Sequence, residues 1–373
     1  MKAVAIVDLQ FGSTGKGLLA AYLGLNGHNH TPFDAVATNW GPNAGHTAVY
    51  EDGEKVVRTM LANSVHRGPI SKVFIGPGSV INVPALMAEV YDTAKTGKPF
   101  MVFIHEHAAV VREEDRAAET VHNRIGSTQK GAGQALVNKI NREPGSSCLA
   151  KHFSNHINSL HGPHLDVEIK VLGHRDYLTE LNKCKLVLLE GCQGYSLGYS
   201  SGFWPYVTSR ECTSAQLLTD TLVAPSQLID TYGVFRSFPI RVANRMNAAG
   251  EMVGYSGPGY PGQKETTFEA IGQAIEFTTV TKLPRRVFEF SELQVADAIM
   301  ANGVTRLFFN FINYYPEEMR YVMARSAIDA VFGTLSIEYD IKPGHSYRVQ
   351  VGTGPRVDDV HYWDKFYKLG DVA

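Results

Sequence analysis

The chain has 373 residues, 44% of them hydrophobic, and a formal net charge of −2. Such a length supplies a sizeable core for one large domain or two ordinary ones. The near-neutral charge lacks the footprint of a nucleic-acid polymer binder, and no apolar run is long enough to span a bilayer.

Residues 2–9, KAVAIVDL, form a short apolar run rich in β-branched side chains and read as a buried strand. The opening "MKAVAIVDLQ" is too short in its apolar part for a signal peptide and carries Asp8, so a cytoplasmic location is expected. Residues 15–25 follow at helical spacing. Further strands are expected at 72–78, 100–105, 168–173, 185–191, 306–312 and 347–352, with helices at 83–96, 214–222 and 292–303. Strands alternating with helices indicate an α/β fold: a large, mostly parallel central sheet with helices on both faces. Residues 244–265 are rich in Gly and Pro and read as a long lid or binding loop. No linker divides the chain, so 1–373 is expected to be a single domain. Cys148, Cys184, Cys192 and Cys212 lack metal-binding spacing and read as reduced thiols.

Several strand ends run into glycine-rich turns, and in open α/β sheets ligands collect there. The first, "DLQFGSTGKG", is not a Walker A loop, which requires GxxxxGK[ST]. Its pattern is GxxGKG, with Gly12, Gly15 and Gly17 letting backbone N–H groups close on an anion and Lys16 within reach of a phosphate. The competing reading is a tight glycine turn with a solvent-facing lysine. In "GPNAGHT", His46 sits among Asn43, Gly45 and Thr47, small neighbours that let a ligand approach. "IGSTQKGAG" offers Ser127 and Thr128 to an oxyanion, or Thr128 as a helix cap. The stretch from Glu190 to Thr213 offers Gln193 to a base edge and Thr208 and Ser209 as hydroxyl donors, or is an ordinary polar loop.

Taken in order, these stretches resemble the adenylosuccinate synthetase family. The family's QWGDEGKGK is matched at 10–18, HNAGHT at 42–47, IGTTGRG at 125–131, EGAQG at 190–194, YPYVTS at 204–209 and STGP at 352–355. The resemblance implies a P-loop-like nucleotide-binding fold and a two-step ligase. ATP or GTP phosphorylates the 6-oxo group of a purine nucleotide, and the amine of aspartate then displaces the phosphate.

It also implies roles. His46 stabilises the transferred phosphoryl group, and Lys16 contacts phosphate. Gly12, Thr14, Gly15, Gly17, Thr47, Gly352, Gly354 and Pro355 join them around the donor. The carbonyl of Gly45, with Ser13, holds Mg2+. Asn43, Ser127, Thr128, Gln193 and Thr208 hold the acceptor nucleotide, and Arg142 reaches its phosphate from the partner subunit of a homodimer. Thr281 and Arg285 fall where the family holds aspartate.

Two departures carry information. Ser13 stands where the family has the aspartate that deprotonates N1 of the purine; a shorter side chain leaves room for a 2-amino group. Asn313 stands where the family's aspartate pairs with guanine of GTP; an amide offers both a donor and an acceptor, which suits adenine. Together these resemble a phage-encoded branch of the family, the N6-succino-2-amino-2′-deoxyadenylate synthases, which join dGMP and aspartate. The expected substrates are then dGMP, L-aspartate and ATP or dATP. Asp8 is a candidate replacement base, or an anchor for its loop. The alternatives are an enzyme acting on IMP and a non-catalytic purine nucleotide-binding protein.

Overall fold

Strand β1 (Lys2–Asp8) is buried from its second residue to its last, as its unbroken apolar run requires of a strand covered on both faces. The computed structural model describes residues 1–121, 129–159, 166–247, 249–278, 283–341 and 347–363. Around β1 stand β2 (Ala35–Thr38), β3 (Lys72–Ile75), β4 (Phe100–His105), β5 (Val167–Leu172), β6 (Leu186–Glu190), β7 (Leu228–Arg236), β8 (Arg306–Asn310), β9 (Arg348–Gly352) and β10 (Val360–Tyr362). Their order in the ten-stranded sheet is β10-β9-β8-β7-β1-β6-β2-β3-β4-β5. All neighbours run parallel except the terminal pair β9 and β10.

The side-chain period of two divides β1 between two cores. Val4 and Ile6 pack with Leu19 and Leu23 of helix α1 (Lys16–Asn26). Ala3, Ala5 and Val7 pack on the opposite face with Leu217, Val295 and Val331, which come from three helices. Burying a side chain such as Ile6 contributes about 1.5–3 kcal/mol.

The register matters most for the site. Ile6 pairs with Glu190 at the end of β6, Asp8 with Val234 on β7, and Arg236 with Asn310 on β8. Four adjacent strands therefore end on buried polar side chains: Asn310, Arg236, Asp8 and Glu190. This row lies at the carboxyl edge of the sheet, where the order departs from chain order on either side of β1.

Several elements are absent from the sequence expectation, among them β2, β7, β10 and the helices Glu113–Val121, Ala132–Asn141, His174–Asn182 and Arg320–Tyr339. The stretch 244–265 is not structureless: Arg245–Met246 pairs antiparallel with Met252–Gly254, which satisfies part of its backbone.

Candidate active site

The loop between β1 and α1 folds around a buried carboxylate. Asp8 Oδ1 accepts the backbone N–H of Gln10 at 2.9 Å and of Gly12 at 3.1 Å. Its Oδ2 accepts the Thr14 hydroxyl and Lys16 Nζ, the latter at 2.9 Å. Lys16 also donates to the Gln193 carbonyl at 2.6 Å. Asp8 thus ties down the loop and neutralises a buried lysine.

Two glycines of the loop are fixed by close packing, and the second explains the departure from Walker A. A Cβ at Gly15, whose φ is +101°, would overlap Asn310 Nδ2. Asn310 donates that amide to the Thr14 carbonyl at 3.0 Å and so clamps the loop from β8. At Gly17 a Cβ would lie 2.9 Å from the backbone N and O of Thr47, so serine or threonine has no room there.

These residues open onto a cavity of about 610 Å³. Gly12, Ser13, Thr14, Gly15, Lys16 and Gly17 line one wall, and Asn43, Gly45, His46 and Thr47 another. Gln193, Arg285, Asn313, Gly354 and Pro355 complete the predicted residues brought together there. Gly352 lies outside the lining, packed on Asn310. Thr208 is also outside, its N–H donating to the Leu197 carbonyl at 2.8 Å. Arg142 is exposed at the end of helix Ala132–Asn141, where its Nε donates to the Ile140 carbonyl. Ser127, Thr128 and Thr281 lie outside the described residues. Helix Ala132–Asn141 starts with Gly131 as its N-cap and has no capping side chain at that position. Instead Glu119 accepts the N–H groups of Gly131, Gly133 and Gln134 at 2.7, 2.7 and 3.3 Å.

His46 begins a short hairpin, His46–Val49 against Lys55–Arg58. Its ring stacks on Trp40 with centroids 3.7 Å apart, and its Nδ1 lies 2.9 Å from Glu190 Oε1. Glu190 is fully buried, and its Oε2 has no hydrogen-bond partner among the described residues. Burial pushes the Glu190 carboxyl well above its ordinary range, against the pull of Lys16. Burial, assisted by Lys16, pushes the His46 imidazole well below its own. Both shifts favour the neutral form of each partner, and a ring held at Nδ1 leaves Nε2 for a ligand.

A second buried group was missed from sequence. Arg236 is fully buried; it donates to the Ser13 carbonyl at 3.1 Å, pairs with Glu276 and lies 3.9 Å over the Phe311 ring. Glu276 also accepts the Tyr314 hydroxyl at 2.9 Å. Ser13 has φ +56°, and its Oγ accepts Arg285 Nη1 at 2.9 Å. The available signals were a charged residue ending an apolar run, as in "KLVLLEG", and a polar residue inside "FFNF".

A cavity lined by a glycine loop at a helix N-terminus, with a lysine and a buried histidine beside it, has the chemistry of an anion site. The sequence profile described as adenylosuccinate synthetase matches residues 5–159 and 170–317. The chain belongs to the adenylosuccinate synthetase family. Among its relatives is the N6-succino-2-amino-2′-deoxyadenylate synthase of Acinetobacter phage SH-Ab 15497, 41% identical over 85% of each chain. The enzyme of the same name from Salmonella phage PMBT28 is 38% identical over 96% of this chain and 97% of the relative. The solved structure of cyanophage S-2L succinoaminodeoxyadenylate synthetase, bound to dGMP and dATP as an energy donor, superposes with a TM-score of 0.84. That match has 35% identity and covers 99% of this chain and 98% of the other. Adenylosuccinate synthetase from Plasmodium falciparum, at 18% identity and TM-score 0.70 over 96% and 99%, shares the fold.

Proposed function

We propose that this protein is a carbon–nitrogen ligase that joins L-aspartate to dGMP at the expense of ATP or dATP. The γ-phosphoryl group passes to O6 of the purine as N1 loses its proton. The aspartate amine then attacks C6, phosphate leaves with the oxygen, and the nitrogen sheds a proton. The products are N6-succino-2-amino-2′-deoxyadenylate, the nucleoside diphosphate and phosphate, which serves the synthesis of 2-aminoadenine DNA. The observation that carries this reading is Ser13, a short, uncharged side chain on the cavity wall where the family resemblance expects a carboxylate. The phage relatives support it.

In this reading Asn43, Gln193 and Thr208, with Ser127 and Thr128, serve dGMP. The glycine loop, Thr14, Thr47, Asn313, Gly352, Gly354 and Pro355 serve the donor, and Arg285 with Thr281 serves aspartate. His46 Nε2 and Lys16 stabilise charge on the transferred phosphoryl group. The side chain of Arg142 is exposed and stands away from its own cavity, which suits a residue that completes the site of a homodimeric partner. Ser13 Oγ and the Gly45 carbonyl are neutral oxygens, a donor set that fits Mg2+ carried mainly by nucleotide phosphates. Mg2+ bound there draws charge from the phosphoryl oxygens. The enzyme acts on free nucleotides, in the cytoplasm of an infected host. Among the described residues no helix is long and apolar enough to cross a membrane.

A coupled assay comparing dGMP, GMP and IMP, each with ATP and GTP, tests this function. The expected result is a far higher kcat/KM for dGMP than for IMP. An equal or higher value for IMP returns the chain to adenylosuccinate synthesis. Binding of dGMP without phosphate release in the presence of aspartate makes it a binding protein instead. The His46→Ala variant should bind dGMP and lose about 10²–10³ in kcat.

A further inference from the structure

Ser13 belongs to a closed ring of hydrogen bonds. Its hydroxyl accepts Arg285 Nη1 at 2.9 Å, and its carbonyl accepts Arg236 Nη1 at 3.1 Å. Arg236 pairs with the Glu276 carboxylate, including a contact of 3.3 Å from the same Nη1. The Glu276 carbonyl accepts the Arg285 N–H at 2.8 Å, which closes the ring. Glu276 and Arg285 are the two feet of one hairpin. Its stem is zipped by Thr278 N–H to the Leu283 carbonyl at 2.9 Å and Leu283 N–H to Thr278 Oγ1 at 3.0 Å. Both feet line the cavity, as does Ser13.

The anchoring is unequal. Glu276 is held by fully buried Arg236 and by Tyr314, so that foot is rigid. Arg285 has a freer guanidinium: its Nε reaches the Phe277 carbonyl at 3.3 Å, and Nη1 is aimed by Ser13. The position-13 backbone is left-handed, where an ordinary side chain is disfavoured. A serine there supplies an acceptor that glycine lacks.

We propose that Ser13 is a positioning residue for the amino-acid subsite: its hydroxyl aims Arg285 at the carboxylate of the incoming aspartate. This rests on the ligase reading above. It gives Ser13 a task distinct from leaving space beside the purine and from the proposed Mg2+ contact. A guanidinium fixed at one N–H keeps its remaining donors in a planar fork suited to a carboxylate.

The test is a double-mutant cycle read in steady-state kinetics. Ser13→Gly removes the hydroxyl without backbone strain, and Ser13→Ala removes it with the side-chain carbon kept. Each should raise the aspartate KM about 10-fold, the size of one lost charge-assisted hydrogen bond. The dGMP KM should move less than about 2-fold on the same scale. In the Arg285→Ala background the Ser13 substitutions should add nothing. An unchanged aspartate KM in both single variants overturns the proposal. So does a Ser13 effect that persists in full without Arg285. The phosphoryl step is followed separately, by dGMP-dependent exchange of the β,γ-bridging oxygen of ATP without aspartate. Wild-type protein that shows no such exchange strikes the ligase reading itself. Exchange that survives while aspartate KM stays fixed strikes only the role given to Ser13.

Discussion

His46 Nδ1 and Glu190 Oε1 lie 2.9 Å apart, the histidine lining the cavity and the glutamate behind it, and both residues are buried. The carboxyl is held well above its ordinary range and the imidazole well below its own, burial being the main cause for each. In the unfolded chain the glutamate ionises near pH 4.3. Its contribution therefore favours the fold at low pH and is lost as pH rises toward its folded value, by at most about 1.4 kcal/mol per unit. The depressed histidine acts oppositely: its contribution is present above about pH 6.5 and lost as pH falls below it. Above about pH 6.5, and up to the raised Glu190 value, the Glu190 slope should dominate. Glu190→Gln should flatten the fall of stability across that window, measured by urea melts at a series of pH values. A variant as steep as the wild type would show the pair to be held ionised.

Asp8 accepts four donors, and Lys16 is its buried counter-ion. Asp8→Asn keeps the shape but leaves the lysine unneutralised and sets an amide against N–H groups. Breaking one side of a buried ion pair costs about 3–5 kcal/mol, so the melting temperature should fall sharply. The proposed role as a proton acceptor for N1 makes a different demand. It requires kcat to drop steeply with dGMP affinity almost unchanged, and the acidic limb of the pH–rate profile to flatten. Calorimetry and kinetics on one variant separate the two.

Asn313 lines the cavity just beyond the end of β8. If it reads the donor base, ATP should outperform GTP, and Asn313→Asp should narrow or reverse the preference. One mismatched group in a buried base site costs about 1–3 kcal/mol. Competition between the two donors measures the ratio directly; GTP winning in the wild type would remove Asn313 from this role.

Ser13→Asp restores a carboxylate to the loop tip. It should depress kcat/KM with dGMP more than with IMP, because only the former carries the 2-amino group. It should also bind Arg285 more tightly than the serine does. An equal loss with both acceptors would separate Ser13 from purine selection.

The apolar strands were legible because each is a continuous run: residues 2–8, 100–105 and 186–190 could hardly sit anywhere but inside a sheet. The glycine loop was legible because few backbones tolerate its spacing. By contrast β7, "LIDTYGVFR", mixes polar residues into its first half, and β2 is only four residues long. Helix Arg320–Tyr339 buries one face, Ala324, Ala327, Ile328, Val331 and Leu335, but its exposed side also carries Val322, Met323 and Ile337, which blurs the amphipathic contrast in the sequence. The ring through Arg236 and Glu276 spans positions 13 to 285. No local spacing encodes it; only the pairing of β7 between β1 and β8 brings its members together.

The polar row Asn310, Arg236, Asp8 and Glu190 has a consequence for how such a protein can diverge. These four are welded to the parallel ladder: Asn310 and Arg236 hold the Thr14 and Ser13 carbonyls, Asp8 holds its own loop, and Glu190 holds His46. A change among them disturbs the scaffold and the catalyst at once. Positions 13 and 313 project from the ends of that frame into the cavity, and replacing either leaves the ladder intact. On the proposed roles of these two positions, substrate choice can drift by single substitutions at the rim while the foundation stays fixed, with no unfolded ancestor on the way.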